Sequence, residues 1–316
     1  MDQYKYPLVL DGGLATELER SFGKDLSGKL WSAQCLQDDP DAIKAVHRAY
    51  FEAGADVATT ASYQASVRGF LDAGYTREQA EELMRRSVRL ACEARDEFGK
   101  GLVALSMGCY GAVLANGAEY TGEYGSATLP DLVRFHKERL DILLQEPGID
   151  FILFETIPSF VEAQAIRELV TTGVKRPIPP VGVSFSCRSN EQISDGTPLS
   201  ACINVLANVP GIFAVGVNCT KPKYIPSLID VLTNTLKQTS RNELAILLYP
   251  DGGEEWDAVA RSWNSKQKVP VDAFGSSMAE WDRLCGATTR MILGGCCGTG
   301  PKHIASIRNH LLARQC

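Results

Sequence analysis

Eight short apolar runs alternating with longer amphipathic stretches predict an α/β fold, a single (β/α)8 TIM-type barrel. Two further observations support it. No composition break divides residues 1–316, and polar, small and thiol residues collect where the apolar runs stop, as they do at the catalytic face of such barrels. An open doubly wound sheet uses the same local units and is the alternative arrangement.

The expected strands are Leu8 to Leu10, Val57 to Thr60, Leu102 to Ser106, Phe151 to Phe154, Val181 to Phe185, Phe213 to Val217, Leu244 to Leu248 and Met291 to Leu293. Helices fill the intervals. Asp41 to Ala53 follows Pro40 and ends at Gly54, and Thr76 with Gln79 forms a capping box for a helix that Gly99 stops. Leu129 to Gln145, Ser159 to Val170, Pro198 to Ala207, Pro222 to Lys237, Met278 to Cys285 and Ile304 to Ala313 complete the set. Three long connections, Ser21 to Asp39, Met107 to Thr128 and Tyr249 to Gly275, read as loops, and long barrel loops often cover a site.

Net charge is −6, without a basic stripe, so nucleic acid is not an expected partner. No run has the length of a membrane span and no secretory leader is evident at the start, so a cytoplasmic protein without membrane association is expected. The ten cysteines are scattered rather than arranged as a secreted disulfide framework. Cys35, Cys92, Cys202 and Cys285 fall in helical segments and read as small buried hydrophobes, and Cys109 and Cys187, near strand ends, read as packing. Cys316 has no evident role.

Cys219, Cys296 and Cys297 differ from the others. Adjacent cysteines rarely pair with each other. Here they sit in Gly294-Gly295-Cys296-Cys297-Gly298 after the eighth run, and Cys219 ends the sixth. Barrel closure can bring both strand ends to one mouth, where three thiolates fit a zinc ion at roughly 2.3 Å with a fourth position open. Histidine does not compete for this role: His47, His136, His303 and His310 fall in predicted helices and read as surface or capping residues. There is no H-E-x-x-H motif and no phosphate loop. Gly298-Thr299-Gly300-Pro301 is explained by Pro301 opening the last helix. A non-catalytic zinc-binding or thiol redox protein on the same barrel also accommodates vicinal cysteines, but it leaves the strand-end carboxylates Asp11 and Glu155 without a purpose.

Taken together the motifs are recognisable. Asp11-Gly12-Gly13-Leu14-Ala15-Thr16-Glu17-Leu18, Phe154-Glu155-Thr156-Ile157-Pro158, Gly216-Val217-Asn218-Cys219 and Gly294-Gly295-Cys296-Cys297-Gly298 resemble the motifs of the homocysteine S-methyltransferase family. Ala61-Ser62-Tyr63-Gln64-Ala65-Ser66, Glu119-Tyr120-Thr121-Gly122, Ser194-Asp195-Gly196-Thr197-Pro198-Leu199, Tyr249-Pro250 and Ser262-Trp263 are similar to its S-methylmethionine-using branch.

The resemblance implies a barrel that uses zinc to methylate the thiol of homocysteine, giving methionine, from a sulfonium donor: S-methylmethionine or S-adenosylmethionine. It maps the metal ligands onto Cys219, Cys296 and Cys297, and the amino-acid-binding carboxylates onto Asp11 and Glu155. Gly12, Thr59, Thr60 and Asn218 are further substrate-side candidates, and Trp31, Tyr63 and Gln64 are donor-side candidates, since an aromatic face suits a cation. No catalytic side chain beyond the metal centre is expected, and the partners are these small molecules. Two segments depart from the branch. Cys109 stands where relatives commonly have proline, and Asp251-Gly252-Gly253 where Asn-Ser-Gly is usual; both lie in loops expected to shape the donor site.

Overall fold

The structure is a computed structural model. It describes the chain apart from residues 2, 174–176, 254, 258–261, 265–267 and 314–316, and the side chains of 255–257 and 262–264. Cys316 and the side chain of Trp263 thus lie outside the described residues.

The eight expected strands form: β1 (Leu8–Val9), β2 (Val57–Thr59), β3 (Leu102–Gly108), β4 (Phe151–Ile157), β5 (Val181–Phe185), β6 (Ile212–Asn218), β7 (Ala245–Tyr249) and, after a short hairpin of β8 (Glu255–Asp257) and β9 (Ser262–Asn264), β10 (Met291–Leu293). The eight barrel strands pair in parallel in the order β1-β10-β7-β6-β5-β4-β3-β2. A parallel bridge between Leu10 and Val57 joins the two ends, with Asp11 N donating to Val57 O at 3.0 Å and Asp56 N to Val9 O at 2.7 Å. The sheet is a closed (β/α)8 barrel, not the open alternative.

Side chains alternate between the two faces of every strand. Leu8, Leu10, Val57, Leu102, Ala104, Phe151, Leu153, Ala214, Ala245, Leu247 and Ile292 pack together inside the barrel. Tyr4, Tyr6 and Phe213 pack against the same cluster. Val9, Leu105, Ile152, Phe154, Val183, Val215 and Ile246 face outward into the larger core beneath the helices.

The helix signals are realised where capping was legible. The capping box at Thr76 and left-handed Gly99 bound the Arg77–Phe98 helix. Asp39 accepts from Ala42 N at 3.1 Å and starts Pro40–Glu52. Other segments hold more structure than expected. Leu14–Phe22, Val67–Asp72 and Tyr110–Leu114 are helical, and the Tyr249 to Gly275 connection carries the hairpin. The helix expected from Met278 begins at Val271, behind Pro270, and so includes Gly275. That glycine is not a loop residue: a Cβ there would lie 2.2 Å from Ser306 Oγ on the last helix, so it marks a close helix–helix crossing.

Two of the four histidines, His47 and His136, correct the surface-or-capping reading, whereas His303, though buried, caps the start of the last helix. His47 and His136 are fully buried and His303 nearly so. They sit on the inner helix faces, which pack against the barrel whatever the residue's usual preference. His136 Nε2 lies 2.8 Å from Glu162 Oε1, and His303 Nδ1 accepts from Gly300 N at 3.1 Å. His47 has no side-chain partner among the described residues, and burial lowers it to about 4. Only His310, beside Asp272, remains near the surface. Cys35 and Cys202 are buried as expected, whereas Cys92 and Cys285 are half-buried at the edge of the core.

Closure leaves little room between strands. A Cβ on Gly216 of β6 would fall 1.9 Å from the carbonyl oxygen of Leu247 on β7, a backbone atom that cannot step aside. Gly216→Ala is therefore expected to cost roughly 3 kcal/mol. Denaturant unfolding measures this, and a loss below about 1 kcal/mol would contradict the packing.

Candidate active site

The alternation that fills the barrel with apolar side chains continues past them at the carboxyl ends of the strands, where the inward residues turn polar. Two residues after inward Val57 comes Thr59, after Ala104 comes Ser106, after Leu153 comes Glu155, and after Leu247 comes Tyr249. All four line one cavity of about 570 Å³, together with Asp11, Gly12, Cys219, Cys296 and Cys297. Of the sequence-predicted site residues, Thr60, Trp31, Tyr63 and Gln64 line it too. Asn218 does not: it is fully buried behind the wall.

The thiols meet as their spacing suggested. The three Sγ atoms of Cys219, Cys296 and Cys297 lie within 4.8 Å of one another, with Cys219 and Cys297 at 3.6 Å, and all three are free. Local backbone produces this. Cys219 leaves β6 in the left-handed conformation (φ 47°), which bends the chain sharply at the strand end. Gly295 admits no side chain, since a Cβ would sit 2.2 Å from Thr299 Oγ1. The segment after it folds back through a 2.7 Å bond from Thr299 Oγ1 to Cys296 O. The amides of Gly298 and Gly300 are taken by Thr16 Oγ1 and His303 Nδ1, consistent with the structural reading of that turn. Hydrogen bonds from the Cys219 and Cys296 thiols hold the Cys297 thiol well below its ordinary range. Three converging soft sulfurs without a disulfide are a donor set suited to a thiophilic metal ion.

Two carboxylates flank the thiols. Asp11 accepts from Thr59 N at 2.7 Å and from Thr59 Oγ1 at 3.1 Å. Burial nevertheless pushes its carboxyl well above the usual range. Glu155 accepts from Ser106 Oγ and is raised to about 7, chiefly by burial. Thr60 spends its hydroxyl on Ser62 Oγ (2.6 Å) and on Ser106 N (3.0 Å). Asn218 takes hydrogen bonds from Thr156 N at 2.7 Å and Ser184 Oγ at 2.8 Å, and its amide lies 3.9 Å from Cys296 Sγ. Its position makes it a brace between the β4, β5 and thiol segments.

The aromatic side is built by a buried cation. Arg139, 1% exposed, donates to the carbonyls of Ser62 (2.8 Å), Tyr63 (2.9 Å), Ala65 (3.0 Å) and Gly108 (2.6 Å). This fixes the turn after β2 that carries Tyr63 and Gln64. Gly108 lets that turn close in, because a Cβ would lie 2.3 Å from Tyr63 O. Trp31 meets Tyr63 edge to face at 6.2 Å, and Gln64 Nε2 donates to Ala112 O at 2.8 Å. Sequence reading passed over Glu119, Tyr120, Thr156 and Tyr249 individually, although each stands in a quoted motif. Tyr120 OH lies 3.8 Å from Cys219 Sγ. Tyr249 OH is 2.5 Å from Ser184 Oγ. Cys109 and Asp251, the two departures, are not among the residues lining the cavity. Cys109 is buried, and Asp251 binds Lys221 at 3.2 Å and Gly253 N at 2.8 Å.

Backbone strain collects here as well. Among the described residues five non-glycines have positive φ, and four of them, Trp31, Ala115, Thr156 and Cys219, line this cavity.

The chain is similar to known proteins over nearly its whole length. The family model for homocysteine S-methyltransferase matches residues 8–311. A homocysteine S-methyltransferase of Bacillus subtilis, YbgG, is 42% identical over 96% of this chain and 94% of its own. The selenocysteine Se-methyltransferase of Brassica oleracea var. italica is 41% identical over 97% and 89%. The crystal structure of the Escherichia coli homocysteine methyltransferase MmuM in its metallated form superposes with a TM-score of 0.78 at 35% identity, covering 99% of this chain and 97% of that one. With a family match that runs from the first barrel strand into the last helix, this chain belongs to the homocysteine S-methyltransferase family.

Proposed function

We propose that this protein transfers a methyl group from a sulfonium donor, S-methylmethionine or S-adenosylmethionine, to the thiol of homocysteine, with zinc held by Cys219, Cys296 and Cys297. The observation that carries the reading is the convergence of three free thiols with two buried carboxylates in one cavity. A thiol-redox or metal-storage role uses the sulfurs but gives the carboxylates and the aromatic wall nothing to bind.

A free thiol with a pKa near 8.5 is mostly protonated at neutral pH, and the thiolate is the nucleophile. When bound, zinc supplies Lewis acidity that keeps the acceptor sulfur deprotonated near neutrality. The chain's own groups do the positioning. Asp11 and Glu155 accept hydrogen bonds from the acceptor's ammonium, and that cation compensates their desolvation. Thr59 orients Asp11 through both its amide and its hydroxyl, and Ser106 orients Glu155. Trp31 and Tyr63 offer aromatic faces to the sulfonium. In the transfer, the acceptor sulfur forms a bond to the methyl carbon while the donor's S–CH3 bond breaks. Its electron pair returns to the donor sulfur, which becomes a neutral thioether. No general base is needed in that step, because the acceptor proton has already left.

The decisive assay incubates zinc-loaded protein with homocysteine and each sulfonium donor, and quantifies methionine. Absence of product with both donors would refute the reading. Cys219, Cys296 or Cys297 changed singly to Ser replaces a soft ligand by a hydroxyl that stays protonated. Each is expected to lower bound zinc and remove most turnover; elemental analysis showing full zinc in all three variants would overturn the assignment.

Glu155 gives a test in pH. Only its carboxylate binds an ammonium, so the acceptor KM should fall as pH rises through about 7. Glu155→Gln should show a high KM that no longer follows this titration. Stability should move the other way. Between about 4.5 and about 7 the unfolded chain has lost the Glu155 proton and the folded protein has kept it, so folding stability declines as pH rises across that window. Glu155→Gln should therefore be more stable to unfolding than the unaltered protein at pH 8, by an amount on the order of 2 kcal/mol, and show little difference near pH 4.5.

A further inference from the structure

Asp11 and Glu155 each take donors from neighbouring strands on their carboxylates, whereas Glu119, the third carboxylate lining the cavity, is served only by its own backbone amide. Its Oε2 is shut off from solvent and has no hydrogen-bond partner among the described residues. Burial raises this carboxyl; the hydrogen bond from its own amide offsets this only in part, and no lysine or arginine among the described residues adds a compensating charge. A buried carboxylate oxygen without a donor is costly, so its persistence in a cavity wall points to a partner that arrives with the ligand.

The backbone around Glu119 is held on both sides. Ser186 Oγ donates to its carbonyl at 3.1 Å. Gly111 allows the Tyr110–Leu114 helix to lie directly on it, since a Cβ would come within 2.6 Å of Glu119 N. Glu119 is close enough to Tyr63 and Cys219 for their charges to interact. Its sequence neighbour Tyr120 touches Cys219 Sγ at 3.8 Å. It therefore stands between the aromatic wall and the thiol cluster, apart from the pair of carboxylates already served by Thr59 and Ser106.

We infer that Glu119 is a specificity-determining residue for the methyl donor: its carboxylate pairs with a cationic group of the sulfonium substrate. This rests on the methyl-transfer reading above and assigns a residue to the half of the site that reading leaves without a charge partner.

The test uses the zinc-loaded protein at saturating homocysteine with S-methylmethionine varied. Glu119→Gln keeps the size and removes the charge. It is expected to raise the donor KM by about tenfold or more while the acceptor KM stays within about twofold. Glu119→Asp, which keeps the charge on a shorter arm, is expected to recover part of the loss. Dimethylsulfoniopropionate carries a sulfonium but no ammonium. Equal penalties with both donors assign Glu119 to the sulfonium, and a penalty confined to S-methylmethionine assigns it to the ammonium. An unchanged donor KM in Glu119→Gln, or equal rises in the donor and acceptor KM values, overturns the inference. If the unaltered protein transfers methyl from neither S-methylmethionine nor S-adenosylmethionine, the functional reading fails and this assignment with it. Normal turnover with an unmoved variant removes Glu119 alone.

Discussion

Closure of the parallel sheet is the constraint on which the rest of this structure depends. Once Leu10 bridges Val57, every barrel strand has two neighbours and every second side chain in it points at the barrel axis. The lower layers are apolar, and the chemistry begins where that apolar filling stops. Thr59, Ser106, Glu155 and Tyr249 reach the cavity because they continue the inward register of Val57, Ala104, Leu153 and Leu247. A shift of one residue in any of these strands would send its polar group into the outer core, where the helices pack.

The cavity wall is shaped as much by missing side chains as by those present. Gly108 makes room for the Tyr63 turn, Gly111 for the segment bearing Glu119, and Gly295 for Thr299 beneath the thiols. Arg139 acts in the same service from inside the helical layer, tying four carbonyls into one rigid aromatic shelf. Left-handed Trp31, Thr156 and Cys219 add local strain that the surrounding hydrogen bonds must overcome. Asn218, which bonds both the amide and the hydroxyl of Thr156 and lies near Cys296, is one such compensation.

Electrostatically the site is incomplete by itself. Three carboxylates and three thiols share about 570 Å³, and burial raises the protonation affinity of all three carboxylates. Cations would relieve this, and an ammonium, a sulfonium and a divalent metal ion are the three cations that the proposed reaction brings together. Substrate binding then supplies charge compensation that folding alone does not, which fits a site that trades stability for recognition.

How far the sequence speaks for itself can be read residue by residue. Strand positions were legible because each is a short apolar run between turn signals, and the pairs Thr76–Gln79 and Phe98–Gly99 announced a helix in full. The ligand-type thiols were legible because two cysteines between glycines have no turn chemistry to explain them. Local pattern could not show that Gly275 sits inside a helix, because its reason is Ser306 on another helix. Nor could it show that His47 and His136 are buried, since that depends on which helix face meets the barrel. Asn218 and Thr60 look like site residues in the sequence, and only the fold reveals that their polar atoms are committed to neighbours. Glu119 looks like one acidic loop residue among many, and only the tertiary structure leaves its Oε2 without a donor among the described residues in the cavity wall. The sequence by itself determined the periodicities, the caps and the residue types at each strand end. Which of those residues share a cavity, and which of their hydrogen bonds are already satisfied, was decided by contacts between distant segments, which exist only once the barrel closes.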